Sequence, residues 1–527
     1  MITVLKNGLI YDGTGAKPFT GDVVINGDRI AYVGANAEVN ADKLIDCTGK
    51  CIAPGFIDAH SHNDFFCDYD NAEVYFAPFL RQGITTQVTG NCGFSCFGIE
   101  RGSQYKQYVG AGLFEARDPG SFRQFVDETR GKLFVNIVPL IGHGTTRIAV
   151  SGLKPGKMDA KGREKMLEHV REAMENGAFG GSFGFMYEPG MYSDMEELVA
   201  FASAIAEYDG IVTVHPRANS KIALGYPLIS KPHIEIALDE VIEIMKRSKC
   251  RMEYSHLIFV GTSSWKSIDP MLKKFYDYRA QGYDIAYDNY SMTYGASTIN
   301  VICPPWYMAL TEQEKKKPVN RLKLRAVIDV TRLLLGIDFK DITIAYINDE
   351  PKYKAYEGRK VSEVAKSEGR DCLDLYLELI DASKGAGKVY LDKYYNEELI
   401  CRLMKDELSV FMTDAWVEPR GVQNGAAFQG YPNFLIKARD NDIPWESVIN
   451  KMSWKIAERF GFTERGRLSE GMFADVTVFD PDGLRVFPDE PGRSAEGISY
   501  VFVNGEEAVS DGLLTGARSG SMVLKRK

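Results

Sequence analysis

The chain has 527 residues, 45% of them hydrophobic and 26% charged, with a formal net charge of −9. That length suits a large barrel with a satellite better than one ordinary domain, and the composition is that of a soluble globular protein. The acidic balance leaves no basic face and argues against nucleic acid as a partner; no apolar run is long enough to span a bilayer.

Residues 1 to 53 alternate in the β manner with glycine-rich turns, as in Ile2-Thr-Val-Leu-Lys-Asn-Gly8 and Val23-Val-Ile-Asn-Gly27. The segment Met1–Lys6 reads as a strand, with no apolar core of a targeting peptide. Residues 465–527 alternate in the same way, as in Ala474-Asp-Val-Thr-Val-Phe479. Neither end has enough strands to close a core alone, so the two are expected to pair into one small β-sandwich. Between them, residues 54–464 alternate short apolar strands with amphipathic helices, which points to parallel α/β. Eight strands are expected: Phe56–His60, Thr85–Thr89, Val135–Ile141, Ala178–Phe183, Ile211–His215, Arg251–His256, Ile285–Asn289 and Val410–Thr413. Eight strands with helical crossovers suit a (β/α)8 TIM-like barrel. Ser193-Asp-Met-Glu196 reads as a capping box opening one helix, and Asp159 opens another. The strand spacing breaks between strands seven and eight, where about 291–408 reads as an insertion over the barrel mouth.

Chemistry in such a barrel gathers at the C-terminal strand ends. There lie His60 and His62, Thr89-Gly-Asn-Cys92, Gly142-His143, His215, His256 and Thr413-Asp414. On a strand, His60 and His62 share one face and suit a divalent metal; two hydrogen-bonded loop histidines are the plain alternative. Only seven histidines occur, and all but His169 and His233 fall at strand ends, so chance placement is a poor account and a metal centre the better one. Nine scattered cysteines, an odd number, argue for reduced thiols and a cytoplasmic address. Cys92 is then either a ligand or a small buried hydrophobe.

Pro54-Gly-Phe-Ile-Asp-Ala-His-Ser-His62, Gly83-Ile-Thr-Thr-Gln-Val-Thr-Gly-Asn-Cys-Gly93, Asn136-Ile-Val-Pro-Leu-Ile-Gly-His-Gly-Thr-Thr-Arg147 and Gly466-Arg-Leu-Ser-Glu-Gly-Met-Phe-Ala-Asp-Val476 resemble the amidohydrolase superfamily. Within it they are most similar to the N-acyl-D-amino-acid deacylases (D-aminoacylases), over nearly the whole chain except the insertion. Hydantoinase-like relatives carry a modified lysine on strand four, which this strand lacks, and the resemblance gives Cys92 that ligand role. It implies a tighter Zn²⁺ held by Cys92, His215 and His256, and a second, weaker site at His60 and His62 with Cys92 bridging. It places the general base at Asp414, which takes a proton from metal-bound water and returns it to the leaving nitrogen.

The departures concern substrate. The lysine that relatives carry after the strand-six histidine is Leu257 here, their Tyr-Pro-Tyr is Tyr287-Asp-Asn-Tyr290, and Ser297 is the nearest match to their polar strand-seven residues. Arg420 and Arg217 are each either a carboxylate partner or a surface ion pair. His143 is either a donor to the substrate carbonyl, a lining residue or a structural contact at a tight turn. The expected function is zinc-dependent hydrolysis of a linear N-acyl amide, with N-acyl-D-amino acids the leading class of small-molecule substrate. Cyclic amides, lactones or amides without an α-carboxylate are the alternative, and a non-catalytic protein on the same fold is the rival. Nothing in the chain decides for or against a homo-oligomer.

Overall fold

The computed structural model describes residues 1–110, 114, 120–223, 226, 231–308 and 310–526. The chain opens with five strands, β1 (Ile2–Ile10), β2 (Phe19–Asn26), β3 (Arg29–Gly34), β4 (Lys43–Asp46) and β5 (Cys51–Pro54). Seven barrel strands follow: β6 (Phe56–Asp58), β7 (Ile84–Thr89), β8 (Asn136–Gly142), β9 (Gly180–Gly184), β10 (Ile211–His215), β11 (Arg251–Tyr254) and β12 (Ile285–Asn289). An excursion carries β13 (Gly295–Thr298), β14 (Ile342–Tyr346) and β15 (Lys388–Leu391) before the eighth barrel strand, β16 (Ser409–Phe411). The chain closes with β17 (Val476–Phe479), β18 (Ile498–Val503), β19 (Glu506–Ser510) and β20 (Leu513–Leu514). Among the described residues no helix is long and apolar enough to cross a membrane.

The two ends share one nine-stranded sheet, joined where β5 pairs antiparallel with β17 (Pro54 opposite Val476). Alternate residues such as Leu5, Ile10, Val23, Ile25, Val476, Val478 and Phe502 bury one face, the period-two arrangement expected of a half-buried sheet. A buried polar knot fastens this sheet to the barrel. Asp475 accepts from Asn136 Nδ2 at the start of β8 (3.2 Å) and from the Asn504 main chain (2.8 Å), and it pairs with Arg465.

The barrel strands lie side by side in chain order, β6 to β12 and then β16, all parallel. The seam between first and last closes through Ala59 N–H to Phe411 O (3.3 Å) and Asp414 N–H to His60 O (3.1 Å). Asp58 reinforces it, accepting from the Thr413 main chain (2.9 Å) and hydroxyl (2.6 Å). The helices between strands have the caps that fix their starts: Asp159 accepts from Gly162 N–H and Asn396 from Leu399 N–H. The expected capping box at Ser193 is displaced by one residue. Asp194 is the cap, and the Ser193 hydroxyl donates instead to Glu197. Three strands also end earlier than the sequence pattern predicts, at Asp58, Tyr254 and Phe411, so His60, His62, His256 and Asp414 stand on the loops just beyond. In the excursion, β15 lies between β13 and β14 in an antiparallel sheet flanked by helices that include Pro318–Leu335 and Cys372–Ala382. Thr298 is opposite Lys388 and Ala296 opposite Tyr390, so these four side chains share one face of that sheet.

Candidate metal centre

Cys92 stands at the middle of the site. Its sulfur lies 3.2 Å from His60 Nε2, 3.5 Å from His215 Nδ1 and 3.7 Å from His256 Nε2. Its loop is held rigidly from below. Asn91 accepts from the Thr213 hydroxyl of β10 (2.8 Å), and the Ser182 hydroxyl accepts from Gly93 N–H (2.9 Å) while donating to Gly90 O. A Cβ at Gly184 would stand 2.0 Å from Cys92 O, so β9 needs glycine there for the loop to lie across it. Cys92, His256 and Asp414 have φ of 53°, 36° and 45°, a left-handed conformation that non-glycine residues adopt only where the surroundings over-determine it.

Asp414, on the loop after β16, turns its Oδ1 to within 3.6 Å of both His60 Nε2 and His62 Nε2. Two overlapping groups of ligand atoms result, each drawn within 4.8 Å: His60, His62, Cys92 and Asp414; and Cys92, His215 and His256. The His62 ring is fixed by stacking on Phe114 at 5.1 Å and by the edge of Trp416 at 5.6 Å.

Burial drives the titration of this cluster. It lowers the His60 imidazole to about 3 and also lowers His215 and His256, so these rings are neutral and keep a lone pair. Burial pushes the Cys92 thiol well above its ordinary value. Burial works against the Asp414 carboxylate too, while any positive charge on His60 or His256 and the hydrogen bond from His62 draw it below the usual carboxylate range. Beneath them, burial raises Asp58 and Asp288 to about 7.

Three neutral imidazoles converging on one buried thiol make poor sense as a hydrogen-bond network, because a thiol has a single proton to share. A divalent cation resolves the arrangement: it takes imidazole and thiolate together, and its charge draws the sulfur and the carboxylates to their ionised forms. The donor set fits zinc, a soft-tolerant ion that takes nitrogen and sulfur ligands.

The pocket above opens between the barrel mouth and the excursion. Phe94, Phe114, Tyr187 and Trp416 line its barrel side; Ala296, Ser297, Thr298, Lys388 and Tyr390 face them from the small sheet. Glu418 holds the Lys388 ammonium, which also stands 5.3 Å from the Trp416 ring.

Of the residues expected to touch substrate, only Ser297 lines this pocket. His143 Nε2 instead bonds Glu197 (2.8 Å), and Arg147 takes the other oxygen of that carboxylate, all in the barrel wall. Arg217 grips Glu240 with Nε and Nη2 (3.1 and 3.0 Å) and the Met191 carbonyl with Nη1. Tyr287 is fully buried against Phe275, because its side chain leaves β12 on the face opposite Asp288. Arg420 is largely exposed and pairs with Asp349 at 2.9 Å. Sequence reasoning passed over Asp58, Asp288, Tyr187, Lys388, Trp416 and Glu418. For the two aspartates a signal existed, since a carboxylate inside an apolar strand calls for a reason. For Lys388 none did, because its position depends on how the excursion folds back, and Tyr187, Trp416 and Glu418 lie on irregular loops after β9 and β16, where no periodicity tells which side chains face the pocket.

No family model matches the chain. It is similar to the D-aminoacylase of Alcaligenes xylosoxydans xylosoxydans, 27% identical over 536 residues that cover 99% of this chain and 97% of that one. The N-acyl-D-glutamate deacylase of the same organism is 27% identical over 512 residues, 95% of this chain and 92% of the relative. Among solved structures, a D-aminoacylase studied for its binuclear metal centre, with one-metal activation and second-metal attenuation, superposes with a TM-score of 0.82 at 25% identity over 99% of both chains. An N-acyl-D-glutamate deacylase from Bordetella bronchiseptica, complexed with zinc and a phosphonate mimic of the tetrahedral intermediate, superposes with a TM-score of 0.81 at 24% identity over 99% of both and shares the fold.

Proposed function

We propose that the chain is an amidohydrolase of the N-acyl-D-amino-acid deacylase family, a metal-dependent enzyme of carbon–nitrogen bonds other than peptide bonds, and that its own residues act as follows. Cys92, His215 and His256 would hold the tighter zinc, and His60, His62 and Asp414, grouped with the same Cys92, would form the weaker site. The observation that carries this reading is the convergence of four histidines and Asp414 on one buried thiol. Zinc bound there polarises the scissile carbonyl and makes water acidic enough to ionise near neutral pH.

Asp414 is the general base and acid. Its carboxylate is ionised, faces the pocket and lies against the ligand atoms, so it is placed to accept a proton from the attacking water and to pass it to the departing nitrogen. The aromatic walls around it exclude water and seat an apolar acyl group or side chain. The substrate class is N-acyl-D-amino acids, and Lys388 with Ser297 supplies the polar contacts to the α-carboxylate. A second reading, an amide that lacks that carboxylate, is favoured by Glu418, which already occupies one side of the Lys388 ammonium. A panel of acyl-D-amino acids, acyl-L-amino acids, their carboxamides and ring amides separates the two.

The decisive variant is Asp414→Asn. Activity on the best substrate of the panel should fall about 10²- to 10⁴-fold, the span of a lost general base. Elemental analysis should still find the zinc held by Cys92, His215 and His256. Turnover near the wild-type rate in that variant would remove Asp414 from the chemistry.

A further inference from the structure

We propose that Asp288 is a positioning residue that builds both halves of the metal centre at once. One of its oxygens selects the nitrogen His60 offers to a metal, and the other pins the main chain of His256. The proposal rests on the metal reading above and is independent of the substrate.

Asp288 is wholly buried on β12, and its side chain points into the barrel while Tyr287 packs outward. Oδ2 lies 3.4 Å from His60 Nδ1, a long hydrogen bond. Oδ1 accepts the main-chain N–H of His256. The two contacts do different work. Metal binding needs the lone pair on the ring nitrogen that faces the other ligand atoms, so the ring proton belongs on Nδ1, where Oδ2 is placed to accept it. Nε2 is the atom turned to Cys92 Sγ at 3.2 Å and to Asp414 Oδ1 at 3.6 Å. The contact to His256 holds that residue at its left-handed φ of 36°, with Nε2 3.7 Å from the same sulfur.

Asp288 therefore touches one member of each ligand group, His60 of the first and His256 of the second. Asp58, the other carboxylate beneath the site, reaches His60 only through its main-chain N–H (3.2 Å) and serves the seam. It does not choose a tautomer.

An asparagine has the same shape and opposite consequences for the two contacts. In Asp288→Asn the amide oxygen can still accept from His256. The amide NH₂ then faces His60 Nδ1 and requires a lone pair there, which moves the ring proton to Nε2. A protonated Nε2 cannot bind metal. The effect should be confined to the His60 half, whereas Asp288→Ala, which removes both contacts, should weaken both halves.

The test is titration of the full chain with Co²⁺, read by the thiolate-to-cobalt absorption and by the ligand-field bands, with Zn²⁺ competition giving affinities. Wild type is expected to take up two equivalents. Asp288→Asn should bind the first as wild type does and the second about 10- to 100-fold more weakly, the range seen when a residue behind a metal ligand is lost. In a His60→Asn background the same change should shift the second equivalent no further. Two wild-type affinities in Asp288→Asn, or equal losses at both sites, would overturn the proposal. Should that variant not fold, ¹⁵N-histidine spectra of the zinc-loaded wild type, with His60→Asn to assign the signal, report the ring directly. There a protonated Nε2 on His60 refutes it and a protonated Nδ1 supports it. A wild type that takes up no metal is a different result, and would refute the metal reading itself.

Discussion

Lys388 carries the substrate argument at the scale of single residues. Among the described residues that line the pocket it is the one lysine or arginine, and it comes from β15 of the excursion, not from a barrel strand. An ammonium has three protons to donate, and Glu418 uses one side of it, leaving room for a ligand carboxylate. Lys388→Met, close in volume and without charge, should raise KM for an N-acyl-D-amino acid about tenfold or more while changing KM for the matching carboxamide little. Equal effects on both substrates would place Lys388 outside carboxylate recognition. The same residues show how far the sequence could be read. His215 was legible because strand periodicity carries a polar residue to the end of an apolar run, and Cys92 through the resemblance of its Gly-Asn-Cys-Gly loop. His143 sits at an equally good strand end, yet its partner Glu197 lies 54 residues on in another helix, and only the packed wall pairs them. Lys388 was illegible for the same reason in reverse: nothing local marks a lysine in an insertion as facing a barrel mouth.

At the scale of elements, β9 shows how a strand can serve a site without contributing a ligand. Its sequence Gly180-Gly-Ser-Phe-Gly184 is a poor strand by propensity. Yet it lies between β8 and β10 with the Cys92 loop across its end. Gly184→Ala puts a methyl against the Cys92 carbonyl, and the loop has to move. The cost in stability should be about 1–3 kcal/mol, typical of overpacking, and the zinc held by Cys92 should weaken with it. Urea unfolding and metal titration of the one variant measure both. Unchanged metal affinity at reduced stability would mean that the loop moves without carrying the sulfur. The barrel itself was legible as eight strands in chain order because each apolar run is bounded by turn residues. The ends of β6, β11 and β16 were not, since the extended chain runs on toward the site residues after the ladder has stopped.

For the whole molecule, the nine-stranded sheet matters because it ties both chain ends to the underside of the barrel. Arg465 and Asp475 are each only 3% exposed, and their pair meets Asn136 at the foot of β8. Removing one member of a buried pair leaves an unsatisfied charge, which costs about 3–5 kcal/mol. Asp475→Ala should accordingly lower the urea midpoint sharply in zinc-loaded protein. A loss under about 1 kcal/mol would show that the sheet and barrel hold together by apolar contact alone.

The junction of β5 with β17 also sets a timetable for synthesis. Pro54 finds its partner Val476 only about 420 residues later in the chain. At roughly 5–20 residues per second, the N-terminal strands wait on the order of 20 to 80 s on the ribosome with an open hydrogen-bonding edge. The barrel seam waits nearly as long, because His60 and Asp414, which bond across it, follow its first and last strands. A nascent chain of this kind has every incentive to pair with the wrong edge, so its yield in a cell should depend on holdase chaperones more than its final stability would suggest.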